Sequence, residues 1–147
     1  MSAYLTITEA NQYFDKRLDT NPWDDASSKN KQKALEQATQ IIDRLNYNGS
    51  KTDDEQENEF PRGGDTEIPD DVKYATAEIA LALLDGVDPE IEFENLNMTV
   101  HRYGPVQNNY DHRSPPIHTL AGVPSVTAWR YLIPYLRDNR EIEMHRI

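Results

Sequence analysis

Four short stretches carry apolar residues at helical spacing, and the segments between the later ones are polar and long. They are Tyr4–Leu18 (YLTITEANQYFDKRL), Lys33–Leu45 (KALEQATQIIDRL), Ile68–Leu84 (IPDDVKYATAEIALALL) and Ala128–Leu136 (AWRYLIPYL). Recurrence at three and four residues puts the apolar side chains on one face of a helix, and such a face is stable only when it is covered. The stretches therefore have to pack on one another. The polar segments cannot join that core, so the chain carries more surface than a small helical body needs and is expected to have neighbours.

At 147 residues the length fits one domain with a modest core. Apolar residues make up 37% and charged residues 28%, and nine prolines with six glycines interrupt the chain, a composition that suits arms or loops ordered on assembly. The absence of cysteine excludes disulfides, thiolate metal sites and cysteine nucleophiles. No basic n-region with an apolar core opens the sequence, and no apolar run approaches the roughly 20 residues that span a bilayer, so neither secretion by a standard signal nor membrane insertion is expected.

The formal charge of −11 is regional. Asp53 to Glu94 holds 15 acidic residues against Arg62 and Lys73, a local −13, which leaves the remainder slightly basic. Phosphate contacts come from lysine and arginine, so tight, sequence-independent binding of nucleic acid by the isolated chain is disfavoured.

Thr6 and Glu9 form the pattern of a capping box, and a helix is expected from there to about Leu18 with Ala10, Tyr13, Phe14 and Leu18 on its apolar face. Asn21-Pro22-Trp23 predicts a turn, with Trp23 covering one end of the next helix. Ser27 or Ser28 caps that helix, whose apolar face is Ala34, Leu35, Ala38, Ile41, Ile42 and Leu45 before Asn48-Gly49 ends it. Ser50 to Glu67 has no period and reads as a long loop. Within it Phe60 beside Pro61 reads as an anchor to the body, and Phe60 or Arg62 equally as a protein contact.

Pro69 at the first helical position with Asp70 and Asp71 in the first turn starts a central helix. Its apolar residues, Val72, Ala75, Ala77, Ile79, Ala80, Leu83 and Leu84, cover much of its circumference, and Gly86 stops it. Alternation in Asp88–Glu94 and Asn97–Tyr103 predicts a β-hairpin or extended arm between residues 90 and 110, followed by an irregular, proline-rich stretch to Pro124. Ser125 caps a last helix with Val126, Trp129, Leu132 and Ile133 at helical spacing until Pro134 interrupts it. The fold class expected is mainly α: a small bundle of about four helices with a long loop and a β-hairpin or extended arm. The single domain comprises a body at about 4–86 and 125–136, an arm at about 88–118 and a tail at 137–147.

A search for chemistry finds little. His101, His112, His118 and His145 lack the spacing of a zinc motif, and no carboxylate completes one. The pairs Asp24-Asp25, Asp53-Asp54 and Asp70-Asp71 point apart as neighbours do and suit loop solvation or helix starts. Arg62-Gly63-Gly64 lacks the spacing and lysine of a phosphate loop, and Ser125 has no partnered base. No enzyme, cofactor or metal is expected.

Six segments in order nevertheless carry a resemblance. They are Y-L-T-x-x-E-A-N-x-Y-F at Tyr4–Phe14, Trp23 followed by Ala26-Ser27, A-L-x-x-A-T-x-x-I-D-x-L at Ala34–Leu45, F-P-R at Phe60–Arg62, I-P-x-x-V-K at Ile68–Lys73 and W-R-Y-L-I-P-Y-L at Trp129–Leu136. Together they resemble a tailed-bacteriophage family labelled DnaT-like single-stranded DNA-binding, whose genes lie among those for head and neck proteins. The family's aromatic before Pro-Arg is typically tryptophan, where this chain has Phe60.

The resemblance implies a head-to-tail adaptor of the virion neck, assembled in the host cytoplasm. Such an adaptor docks beneath the portal protein as a twelve-fold ring, meets tail or nozzle proteins below, and lets genomic DNA pass without specific binding. The residues implied in contact with the portal or a neighbouring copy are Phe60, Arg62, Trp129, Tyr131, Leu132, Tyr135, Arg137 and Arg140, with Trp129 and Leu132 also read as closing the chain's own core. Asp53, Asp54, Glu55, Glu57, Glu59, Glu90, Glu92 and Glu94 are candidates for an acidic channel lining, from which DNA is repelled and so slides. Two alternatives stand beside this reading. One is the single-stranded DNA-binding module of the label, with Trp23, Phe60 or Tyr110 stacking on bases. The other is a tail-terminator or stopper layer lower in the neck.

Overall fold

The computed structural model describes residues 3–88, 118 and 121–137, which form a mainly helical bundle. Among the described residues five helices follow in order: α1 (Ile7–Phe14), α2 (Asn21–Asp24), α3 (Ser28–Asp43), α4 (Asp70–Leu84) and α5 (Val126–Leu132), the last running into a 3₁₀ turn at Ile133–Tyr135. Three helix starts follow from local chemistry. Thr6 and Glu9 close a reciprocal capping box, and the Ser27 and Ser125 hydroxyls accept from the backbone N–H groups of Asn30 and Ala128.

Helix α4 is the centre, packing chiefly against α3 and α5. It is buried on nearly every side over Ala75–Leu81. Small residues make this possible, because Ala75, Ala77 and Ala80 on α4, Ala34 and Ala38 on α3 and Ala128 on α5 let the helix backbones approach while Leu35, Ile42, Ile79 and Leu132 fill the space between. Thr39 and Thr76 are fully buried, and each hydroxyl donates to the carbonyl four residues back, of Leu35 (2.9 Å) and Val72 (2.8 Å). The Thr39 hydroxyl also accepts from the Tyr4 N–H at 3.0 Å, which pins the N-terminal segment to α3.

Several boundaries differ from the sequence expectation. Helix α1 stops at Phe14, four residues before Leu18, and Leu18 is 86% exposed. The reason is tertiary: the Arg17 guanidinium turns back to Leu18 O and to Glu78 on α4, and Asp19 takes a left-handed φ of +58°, so the chain reverses where the periodicity would extend it. The expected turn at Asn21-Pro22-Trp23 is the four-residue helix α2. Pro69 is the N-cap of α4 and Asp70 its first helical residue, while Gly86, at φ +84°, lies just past the Asp85 C-cap as expected. In α5 the buried phase is Ala128 and Leu132, which leaves Val126 and Ile133 about half exposed. A helix of under two turns carries too few residues to fix its own phase, so the neighbour it meets decides which side is buried. The expected hairpin between 90 and 110 and the tail beyond 137 lie outside the described residues. Among the described residues, β pairing is confined to two isolated antiparallel bridges, Tyr47 with Leu136 and Lys51 with Arg62.

Candidate functional site

Residues that the sequence offered as partner contacts from two distant places meet at one seam. Phe60, from the polar loop, is 3% exposed, and its ring meets those of Tyr47, Tyr135 and Tyr4 edge-on at centroid distances of 4.7, 5.8 and 6.0 Å. The peptide bond to Pro61 is cis. The Phe60 N–H donates to the Tyr4 hydroxyl at 3.1 Å, that hydroxyl donates to Asp43 Oδ1, and the Glu59 N–H donates to the same carboxylate oxygen at 3.3 Å. Burial pushes the Asp43 carboxyl above its ordinary value, against the hydrogen bonds from Tyr4 and Glu59 that favour the anion. Burial and the adjoining carboxylate both push the Tyr4 phenol up.

Arg62 staples the loop from inside. Its guanidinium donates to the carbonyls of Asn48 (3.1 Å), Gly49 (2.6 Å) and Glu59 (3.3 Å), pairs with the Glu59 carboxylate at 3.2 Å, and lies 5.8 Å from the centre of the Tyr47 ring. The C-terminal segment is zipped to the same place. Asn48 donates from its backbone to Tyr135 O and from its side chain to Leu136 O, each at 2.9 Å, and the Arg137 N–H donates to Asn46 O at 3.1 Å. A cavity of about 200 Å³ lies here between Phe60, Arg62, Pro134 and Tyr135.

The second feature is a cleft of about 480 Å³ where α1, α4 and α5 meet, lined by Tyr13, Tyr74, Tyr131, Lys16, Arg17 and Lys73. The rings of Tyr13 and Tyr74 are 5.2 Å apart and those of Tyr74 and Tyr131 5.6 Å. Its floor is fixed by Glu78, 3% exposed on α4, which accepts from the Tyr13 hydroxyl at 2.5 Å and from Arg17 Nε at 2.7 Å. Burial, then the bond to Glu78, push the Tyr13 phenol up. At the rim Lys73 pairs with Glu9 at 3.1 Å. Burial raises the Glu9 carboxyl, but Lys73 and the Thr6 N–H and hydroxyl outweigh it and hold the group below its ordinary value.

The sequence matches a family model described as "Putative DnaT-like ssDNA binding protein" over residues 1–146. The chain belongs to this family. No curated protein and no solved structure matches it.

In this member of the DnaT-like family, the structure sorts the residues that the sequence nominated. Phe60 and Leu132 are core side chains and present no surface to a partner, because the first fills the seam and the second is 0% exposed between α5 and α4. Arg62 is half-buried and spends its donors on its own loop. Trp129, Tyr131 and Tyr135 are half-buried against the core, and Arg137 is exposed. Trp23, offered as a stacking residue, is 1% exposed: its ring packs 4.9 Å from Phe14, Lys31 lies over it, and its indole N–H donates to Asn11. Asp53, Asp54, Glu55 and Glu57 are exposed, whereas Glu59 is half-buried and paired with Lys51 and Arg62. Arg140, Glu90, Glu92, Glu94 and Tyr110 lie outside the described residues. Among those described there is no group of three metal-ligating side chains and no helix long and apolar enough to cross a membrane.

Sequence reasoning missed the tyrosine cleft. Tyr13 read as core, Tyr74 sat on a helix judged by its apolar face, and Glu78 gave no sign of burial. The available signal was the interruption itself: one glutamate inside an apolar helix requires a cationic or hydroxyl partner, and only Arg17 and the nearby tyrosines supply it here.

Proposed function

We propose that this chain is a head-to-tail adaptor of a tailed phage, docking beneath the portal protein as a ring and presenting a surface for the tail. The observation that carries the reading is the ordered set of six segments from Tyr4 to Leu136, which resembles that family through the whole body. The geometry supports it in two ways. The aromatic residue of the polar loop is buried where the Tyr4 segment and residues 135–137 meet, and Trp23 of α2 is buried against α1, so both serve the body's own packing. Asp53, Asp54, Glu55 and Glu57 stay exposed on one loop, a surface that DNA slides past and does not adhere to. A ring also needs heterologous faces that close by rotation, and residues 89–117 and 138–147 lie outside the described residues. The acids at 90, 92 and 94 and Arg140 belong to those segments and remain part of the proposal.

The test is to weigh the purified protein alone, and again with its portal ring, by native mass spectrometry or light scattering. Recruitment in portal-matched stoichiometry is expected. A chain that ignores the portal sinks the reading.

The family's description favours a second reading, contact with single-stranded DNA. The buried Trp23 and Phe60 are unavailable to stack on bases, whereas Tyr74 at the tyrosine cleft is exposed.

A further inference from the structure

We infer that the cleft between α1, α4 and α5 is a site for unpaired nucleotides of single-stranded DNA, with Tyr74 and Tyr131 as stacking faces and Lys16 and Lys73 as phosphate contacts. The inference rests on the second reading above and gives it a place on the molecule.

Binding a single strand without sequence preference takes an aromatic face for the base and a cation for the backbone within one nucleotide's reach. In a chain of charge −11 that combination has to be local. The cleft supplies it at its rim: Lys16, Arg17 and Lys73 line it with Glu9 and Asp70, and since Arg17 is neutralised by the buried Glu78 and Lys73 is shared with Glu9, the exposed Lys16 is the cation left open to a phosphate. The other cavities differ. An open cleft beside α2 has Asp19, Asp25 and Asp85 as its charged lining, and the seam cavity sets Arg62 against Asp65. Tyr74 is 37% exposed, among the most exposed large apolar side chains described, and its ring is tilted by 59° to that of Tyr131, so the two make a stepped surface and not a closed stack.

The remaining groups hold this surface still. Tyr13 and Arg17 are tied to the buried Glu78, and the Arg17 guanidinium also donates to Leu18 O, which fixes the wall from behind. A preorganised wall lowers the entropy lost when a flexible strand docks. Lys16 is exposed and makes no ion pair among the described residues, and Lys73 shares its charge with the half-exposed Glu9, a pair that a phosphate can enter without uncovering a buried charge. A cleft of about 480 Å³ lies within the range of small-ligand sites, which suits one or two nucleotides. The acidic loop repels the rest of a strand, so the contact is short and salt-sensitive.

The experiment is fluorescence anisotropy of a labelled oligothymidylate against the full chain at low salt, with a duplex of equal length as control. Wild type is expected to bind the single strand in preference to the duplex. Tyr74→Ala should weaken binding at least about fivefold while Tyr74→Phe, which keeps the ring, retains it. Lys16→Ala, at an exposed position that folding does not depend on, should lower the salt slope by about 1. If wild type binds and Tyr74→Ala, Tyr131→Ala and Lys16→Ala bind equally well, the cleft is not the site although the single-stranded reading survives. If wild type binds no oligonucleotide, both fall together, and the adaptor proposal is untouched.

Discussion

Helix α4 and the loop from Ser50 to Glu67 are neighbours in sequence and opposites in composition, yet both are held in the same body. The helix is held by distribution: eight of its residues are buried, none larger than Ile, Leu or Glu, and no single side chain dominates. The loop is held by concentration. Its ordering centres on one buried ring, Phe60, one inward guanidinium, Arg62, and one carboxylate of α3, Asp43, around which the backbone of Asn48, Gly49, Glu59 and Phe60 is satisfied, with Gln56 donating to the carbonyls of Asn58 and Pro61 and Thr52 to that of Asp65. A polar, aperiodic segment is thus held in the fold without a helical period when its few apolar atoms reach the core and its carbonyls find a common donor. The difference also predicts that the loop fails abruptly where the helix yields by degrees.

The largest effect should come from Phe60→Ala. Truncating a buried aromatic leaves a cavity and costs about 4 kcal/mol, and chemical denaturation should show it together with fast amide exchange at residues 50–62. Ile79→Ala in α4 should cost about 3 kcal/mol with exchange raised across the bundle. Equal exchange patterns in the two variants would erase the contrast between concentrated and distributed support.

Next is Arg62→Lys, which keeps the charge and loses the planar fork. Three carbonyls depend on that fork, so a loss of about 2 kcal/mol is expected in thermal unfolding. A variant as stable as wild type would mean that the carbonyls find water instead. Thr6→Ala, at the cap of α1, should cost about 1 kcal/mol with no change in loop exchange, the signature of a purely local device.

The smallest effect is a matter of sign. The Asp43 carboxyl is raised in the folded state from its ordinary 3.8, so the stability it contributes is present at low pH and is lost as pH rises through its folded value. Glu9 is held below its ordinary 4.5, so its contribution is present above that value and is lost as pH falls through the folded one. Between about pH 3 and 7, Asp43→Asn should therefore gain on wild type as pH rises above about 4, whereas Glu9→Gln should lose on wild type as pH rises toward about 4.5 and change little beyond it. Denaturation midpoints across that range decide it. Parallel curves for both variants would show that neither group titrates differently on folding.

The adaptor candidates divide along the same line. Phe60 was legible as an anchor, because an aromatic beside proline in a polar stretch has one favourable destination, and the structure puts it there. Its second reading, as a partner contact, is incompatible with that burial. Leu132 followed the core reading too, while Tyr131 was picked for its place near the C-terminus and ends in a cleft that no part of its own segment announces. Trp23 reads from the sequence as a cover for one end of the α3 face, and in the structure Lys31 of α3 lies over its ring while the α1 side chains Phe14 and Asn11 hold the ring and its N–H.

Interactions that act over one helical turn were legible in the order of the residues. The Thr6–Glu9 capping box, the serine caps at 27 and 125, the central α4 and its Gly86 stop all depend on atoms three or four residues apart, and their geometry follows once the backbone is helical. Long-range packing set where α1 ends, which side of α5 is buried, and that Tyr13, Arg17 and Glu78 form one wall. The bonds of Tyr13 and Arg17 to Glu78 join residues more than 60 positions apart. The chain must bury or pair each polar atom wherever packing leaves it, and no local pattern records which distant partner will be there.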